Sequence, residues 1–161
     1  MPPALRALPL GIVILTPAAS GQTATNTLVV SSTVVKVCVV AVTPLTFGNY
    51  LANSASPTDA TATLTITCTS GTTYTVALDA GTGSGATTST RSMSFSGSSL
   101  SYGLYQDSAR SQNWGNNTGT DTASGTGNGG AQNSTVYGRI GIGHYLAPGA
   151  YTDTVTVTVT Y

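Results

Sequence analysis

The side chains that could carry chemistry are few and scattered. One histidine, His144, stands in the glycine-flanked run Gly141-Ile142-Gly143-His144-Tyr145, and no Gly-x-Ser-x-Gly nucleophile elbow accompanies it. The aspartates Asp59, Asp79, Asp107, Asp121 and Asp153 form no close pair in sequence and glutamate is absent, so paired acid and base carboxylates are not indicated. A zinc site would need more His or Cys than the chain has to spare once its two cysteines bond to each other. Gly125-Thr126-Gly127-Asn128-Gly129-Gly130 has the form Gly-x-Gly-x-x-Gly, but no apolar strand precedes it and no helical pattern follows. It reads as a flexible loop rather than a phosphate cradle. An enzyme is disfavoured on these grounds, and no metal or cofactor is expected.

Three residues keep a structural or binding interest: Cys38, Cys68 and Trp114. The chain opens with the pattern of a secretory leader over residues 1–21. Arg6 supplies the positive start, Leu8 to Leu15 a short apolar run, and Pro17 to Gly21 a small-residue end. That apolar run is far shorter than the roughly 20 residues a membrane span needs, so no span is expected. Export permits a disulfide between Cys38 and Cys68, and closing a loop of about 30 residues would stabilise the fold by about 3–4 kcal/mol on the chain-entropy argument. Trp114 is the one large apolar residue in the polar stretch 106–134. It could offer a stacking face to a sugar, or it could pin the long loop back on the body of the domain.

The remaining sequence is strand-forming. The 161 residues make one domain's worth of chain, only 6% of them are charged, and five Lys and Arg balance five acidic residues. That balance excludes the basic face needed for nucleic acid or an anionic membrane surface, and it favours self-association. Thr61 to Cys68 alternates without a break, with Ala62, Leu64, Ile66 and Cys68 on one side and threonines on the other. Tyr74, Val76 and Leu78 repeat the pattern. Arg91, Met93 and Phe95 follow, then Leu100, Tyr102 and Leu104, then Val136 to Ile142. Residues 106–134 interrupt the rhythm and are expected to form a long excursion. Arg91, Arg110 and Arg139 are expected to pair with Asp79, Asp107 or Asp153 at strand ends. The chain closes on Tyr151 to Tyr161, where Tyr151, Val155, Val157, Val159 and Tyr161 share a face with Asp153 at its rim. The fold class is all-β, a sandwich of immunoglobulin-like type that is short of a full strand set. Leu28 to Val42 is almost wholly β-branched and aliphatic, and too long for one strand. A last strand with an open edge also invites pairing with another chain.

The order Cys38, Pro44-Leu45-Thr46-Phe47-Gly48-Asn49-Tyr50, Thr65-Ile66-Thr67-Cys68, Arg91-x-Met93, Leu100-x-Tyr102-x-Leu104-Tyr105, Asn113-Trp114-Gly115, Val136-Tyr137-Gly138-Arg139-Ile140 and Pro148-Gly149-x-Tyr151-x-Asp153-Thr154-Val155 resembles the spore coat protein U domain family. That family includes subunits of archaic chaperone-usher pili. The resemblance covers essentially all of the chain after the leader. It implies an incomplete immunoglobulin-like sandwich lacking its final strand, at residues 36–161, preceded by a donor-strand extension at residues 22–35. It implies a pilus or fimbria subunit, assembled by donor-strand exchange through a periplasmic chaperone and an outer-membrane usher, that supports adhesion or biofilm formation. The partners would be identical or related subunits, with no nucleic acid and no membrane span. The protein would pass through the periplasm to a cell-surface fibre or be secreted. With Cys38 facing inward, extended-chain parity makes Leu28, Val30, Ser32 and Val34 the donor row, and Val155, Val157, Val159 and Tyr161 the acceptor edge. The alternative is a secreted carbohydrate-binding module or protective coat protein using the loop around Trp114.

Overall fold

A computed structural model describes residues 20–161, which form eight strands and, among the described residues, no helix. The strands are β1 (Cys38–Val42), β2 (Thr58–Cys68), β3 (Thr73–Leu78), β4 (Arg91–Phe95), β5 (Ser98–Tyr105), β6 (Ala123–Thr126), β7 (Ala131–Ile140) and β8 (Val157–Thr160). Five of them make one sheet in the order β1-β2-β7-β5-β4, and three make a second in the order β6-β3-β8. Every strand pairing is antiparallel. The fold is therefore an all-β sandwich. The leader read at residues 1–21 lies outside the described residues apart from Ser20 and Gly21.

Period-two alternation dictates which faces meet. Ala62, Leu64, Ile66 and Cys68 of β2 are buried, as are Tyr74, Val76 and Leu78 of β3 and Leu100, Tyr102 and Leu104 of β5. Val136 and Ile140 complete the core from β7. Between them Gly138 lies inward, and a Cβ there would crowd the Leu45 and Phe47 side chains at 2.9–3.0 Å. A glycine is needed because the segment after β1 folds over the sheet at that point.

Several elements differ from the sequence reading. Within Leu28 to Val42 only Cys38–Val42 is strand, and residues 20–37 carry no regular secondary structure. Aliphatic composition makes a segment able to pair, and pairing needs an edge as well. The excursion at 106–134 holds a strand of its own, β6, and β7 starts at Ala131, ahead of the apolar residues that announce it. The closing strand is shorter than its alternation. Thr152 forms an isolated bridge to Ser94 of β4, and regular pairing to β3 begins at Val157. The arginines also differ: Arg110 and Arg139 both reach Asp59, at 3.2 and 2.8 Å, and Arg91 bonds backbone carbonyls instead of a carboxylate.

Cys38 and Cys68 face each other in the β1–β2 register and are bonded. Their sequence separation of 30 closes a loop that reduction would free. Replacing both with alanine is expected to lower stability by about 2–5 kcal/mol, seen as a lower urea midpoint for the double variant. An unchanged midpoint would show that the bridge does not stabilise the fold.

Candidate functional site

The two sheets do not cover each other completely. Inside the Val34–Tyr161 unit lies a cavity of about 1170 Å³. Its floor is the inner face of the larger sheet, with Ala62 and Leu64 from β2, Val136 and Ile140 from β7, and Leu100 and Leu104 from β5. One wall is the segment Val42–Ala52 and the other is the run from Leu146 to Val155, with Val157 beyond it. This volume exceeds the roughly 300–1,000 Å³ typical of small-molecule pockets, and its lining is largely aliphatic and aromatic.

The first wall follows from local sequence. Thr43 still bonds across to Thr63 (N···O 3.0 Å), and Pro44, which has no N–H to donate, then takes the chain off the sheet. Leu45 and Phe47 turn onto Gly138, and the Phe47 ring meets Tyr102 edge-on with centroids 5.9 Å apart. The Tyr50 hydroxyl fastens the far end, donating to the Gly141 carbonyl (2.9 Å) and accepting from the His144 N–H (3.0 Å). His144 thus serves through its backbone, with its ring tilted against Tyr50 at 6.0 Å. This wall escaped the sequence reading, although the Leu45 and Phe47 alternation just after Pro44 was its signal.

The second wall carries Val155 and Val157 of the predicted acceptor row, and Val159 and Tyr161 lie beyond the groove's lining. From Tyr151 to Thr160 half-buried and exposed positions alternate without interruption, with Tyr151, Asp153, Val155, Val157 and Val159 on the covered side. Tyr161 lies past the last strand residue and is 54% exposed. Thr156 gives its carbonyl to the Asp79 N–H (3.1 Å), so Thr156, Thr158 and Thr160 point their backbone groups toward β3, as Thr152 does toward β4. Strand geometry then turns the N–H and C=O of Val157 and Val159 toward the opposite edge, where no strand pairs among the described residues. Apolar side chains that are only half-buried beside a free edge mark an incomplete core.

One ionised group stands in this wall. Burial alone would raise the pKa of Asp153, but hydrogen bonds from Thr82 and from the Tyr102 hydroxyl outweigh it and hold the carboxyl below its usual range. Burial, reinforced by the same carboxylate, pushes the Tyr102 phenol up.

The other predicted positions fall elsewhere. Leu28, Val30 and Val34 are 88, 83 and 83% exposed, and Ser32 is exposed as well. Trp114 is 1% exposed, its indole N–H donating to the Val76 carbonyl at 2.9 Å. Of the two readings of Trp114, its burial in the core cluster agrees with a residue that pins the loop back on the sandwich and leaves no exposed stacking face for a sugar. Gly125 and Thr126 belong to β6, and Gly127 exchanges backbone bonds with Gly71 and Thr72, so the glycine run is a strand end and turn rather than a flexible loop. Among the described residues no group of three or more His, Cys, Asp or Glu is placed to hold a metal, and no helix is long and apolar enough to cross a membrane.

Comparison with known proteins agrees with this architecture. The Spore Coat Protein U domain matches residues 24–158. Among solved structures, the chain is similar to part of the CsuC-CsuE chaperone-tip adhesion subunit pre-assembly complex from archaic chaperone-usher Csu pili of Acinetobacter baumannii. That likeness has 25% sequence identity and a TM-score of 0.59, and it covers 80% of this chain and 40% of the other. The chain thus spans less than half the length of that solved chain. No curated protein matches it. With an antiparallel sandwich that holds no helix among the described residues, and a match from residue 24 to residue 158, the chain belongs to the Spore Coat Protein U domain family.

Proposed function

We propose that the chain is a structural subunit of a chaperone-usher pilus, joined to its neighbours by donor-strand exchange. The carrying observation is the free edge of β8 and the segment before it, where Val155 and Val157 stay half-buried along an open apolar groove and Val159 continues their row beyond it. The occupant is the segment around residues 22–34 of a second copy. Its apolar row has the period of two that a one-faced antiparallel strand requires, and it is exposed. Added to the edge, it would gain main-chain hydrogen bonds while its alternate side chains fill the groove. Leu28, Val30 and Val34, at about 1.5–3 kcal/mol each on full burial, supply several kcal/mol before backbone pairing is counted.

A periplasmic chaperone would occupy the groove first, an outer-membrane usher would catalyse the exchange, and the fibre would serve adhesion or biofilm formation at the cell surface. The similar solved complex, in which a pilus subunit is held by a chaperone before assembly, supports the chaperone step. Deleting residues 22–34 tests the reading. The expected product is a subunit that folds and binds chaperone yet forms no homopolymer. Normal fibres from the deletion would sink the proposal.

A further inference from the structure

Resting on the donor-strand reading, we propose that Asp153 sets the register of the incoming strand by accepting a hydrogen bond from Ser32 of the next copy. Asp153 is the one acidic residue lining the groove among the described residues. Its Oδ1 is saturated, accepting from the Thr82 N–H (2.7 Å), the Thr82 hydroxyl (2.9 Å) and the Thr154 N–H (2.7 Å). Its Oδ2 accepts one bond among the described residues, from the Tyr102 hydroxyl (2.8 Å), and so keeps a lone pair open. The carboxylate is held in place by its surroundings. A Cβ at Gly81 would collide with it, so that position must be glycine.

Every strand pairing among the described residues is antiparallel, and the donor row is taken as antiparallel to the acceptor row. Period-two alternation then allows registers that differ by shifts of two. Those that bring Leu28 or Val30 to Asp153 set an apolar side chain on the charge, and those that carry Lys36 past Asp153 exceed the reach set by Val37. Three others remain. In the first, Leu28 faces Val157, Val30 faces Val155, Ser32 faces Asp153 and Val34 faces Tyr151. In the second, shifted by two, Ser32 is buried against Val155 and Val34 lies on the carboxylate. In the third, Ser32 opposes Val157 and Lys36 opposes Asp153. The second sets an apolar side chain against a charge. The third fails on reach. Val37 is bonded through both its N–H and its carbonyl to Thr69 of its own sandwich, at 3.1 and 2.9 Å, so Lys36 would have to sit in one subunit while its neighbour sits in another. The first alone sets the Ser32 hydroxyl on the carboxylate while Leu28, Val30 and Val34 lie on Val157, Val155 and Tyr151; it places Asn26 beside Val159 and leaves Val35 and Lys36 as the link.

The test uses the full chain, with fibre assembly and fibre dissociation in denaturant as readouts. In a groove that is simply apolar, Ser32→Val would strengthen the fibre. Here Ser32→Val is expected to speed dissociation about tenfold, the scale of a lost hydrogen bond to a charged group, and Lys36→Met is expected to change it little. Faster dissociation of Ser32→Val, together with a Ser32–Asp153 coupling in a double-mutant cycle with Asp153→Asn, supports the register. Dissociation of Ser32→Val equal to or slower than wild type, or a tenfold effect of Lys36→Met instead, overturns it. Ser32→Val alters only the donor segment and Lys36→Met only the link behind it, so the test survives if Asp153→Asn fails to fold. Val30→Asp separates the two levels: undiminished assembly from it overturns donor exchange itself, whereas lost assembly with a strengthened Ser32→Val fibre overturns only the register.

Discussion

Arg91→Leu is expected to unfold the subunit or to lower its melting temperature by about 10 °C or more. Arg91 is fully buried at an inward position of β4, and its guanidinium binds four carbonyls. Nε donates to Asp79 O (2.8 Å), Nη1 to Thr88 O (2.7 Å), and Nη2 to Leu78 O (3.0 Å) and Trp114 O (2.8 Å). One side chain therefore ties the end of β3, the turn before β4 and the long loop together. Burial pushes its pKa down, against the field of the Tyr102, Asp79, Asp153 and Asp121 side chains, and a guanidinium starts high enough to stay protonated. Leucine would fill part of the space and leave buried carbonyls without donors, at about 1–3 kcal/mol each. Lysine is expected to rescue little, since a single ammonium cannot span the fork. Circular dichroism melts decide the matter, and a Leu variant melting within a few degrees of wild type would contradict this role.

Trp114→Ala is expected to cost about 3–5 kcal/mol, the range for emptying a large aromatic site in a core. The indole packs in the core cluster and its N–H satisfies the Val76 carbonyl. Trp114→Phe keeps most of the volume and loses that bond, and is expected to cost about 1–2 kcal/mol. Because Arg91 holds the Trp114 carbonyl, the two losses share a partner and the double variant is expected to cost less than their sum. Urea titrations followed by circular dichroism give all three values. An alanine variant of wild-type stability that lost binding to a sugar would instead restore the loop as a ligand platform.

Much of the sandwich was legible because alternation leaves little choice. A strand with one covered face must turn Leu64, Ile66, Val76 or Tyr102 inward, and these residues are buried. Strands without large side chains gave no such signal. β6 is Ala-Ser-Gly-Thr, held by its ladder to β3, and a Cβ at Gly125 would strike the ring of Tyr74. Arg91 was placed inward by its parity with Met93 and Phe95, yet charge alone suggested a rim partner. Nothing local announces that the carbonyls of Leu78, Asp79 and Trp114 converge on it beside that of nearby Thr88. Trp114 was similarly ambiguous, since a lone tryptophan in a polar loop looks the same in sequence whether it faces a ligand or the core. The groove was legible only as a shortage of strands. Its first wall depends on Leu45 and Phe47 finding Gly138, 93 and 91 residues further along the chain.

The Cys38–Cys68 bridge has a mechanical consequence for a chain of such subunits. If subunits are joined through residues 22–34 as proposed, tension would enter the sandwich at Val37 and meet the disulfide at the very next residue. Load passes covalently from the first residue of β1 to the last residue of β2, the strand that also carries the long ladder to β7. Under such a pull the load would bypass the five-residue β1 pairing and spread over the ten paired positions of the β2–β7 ladder. An oxidised subunit would yield at its joints before its body, and a reduced one would lose β1 first.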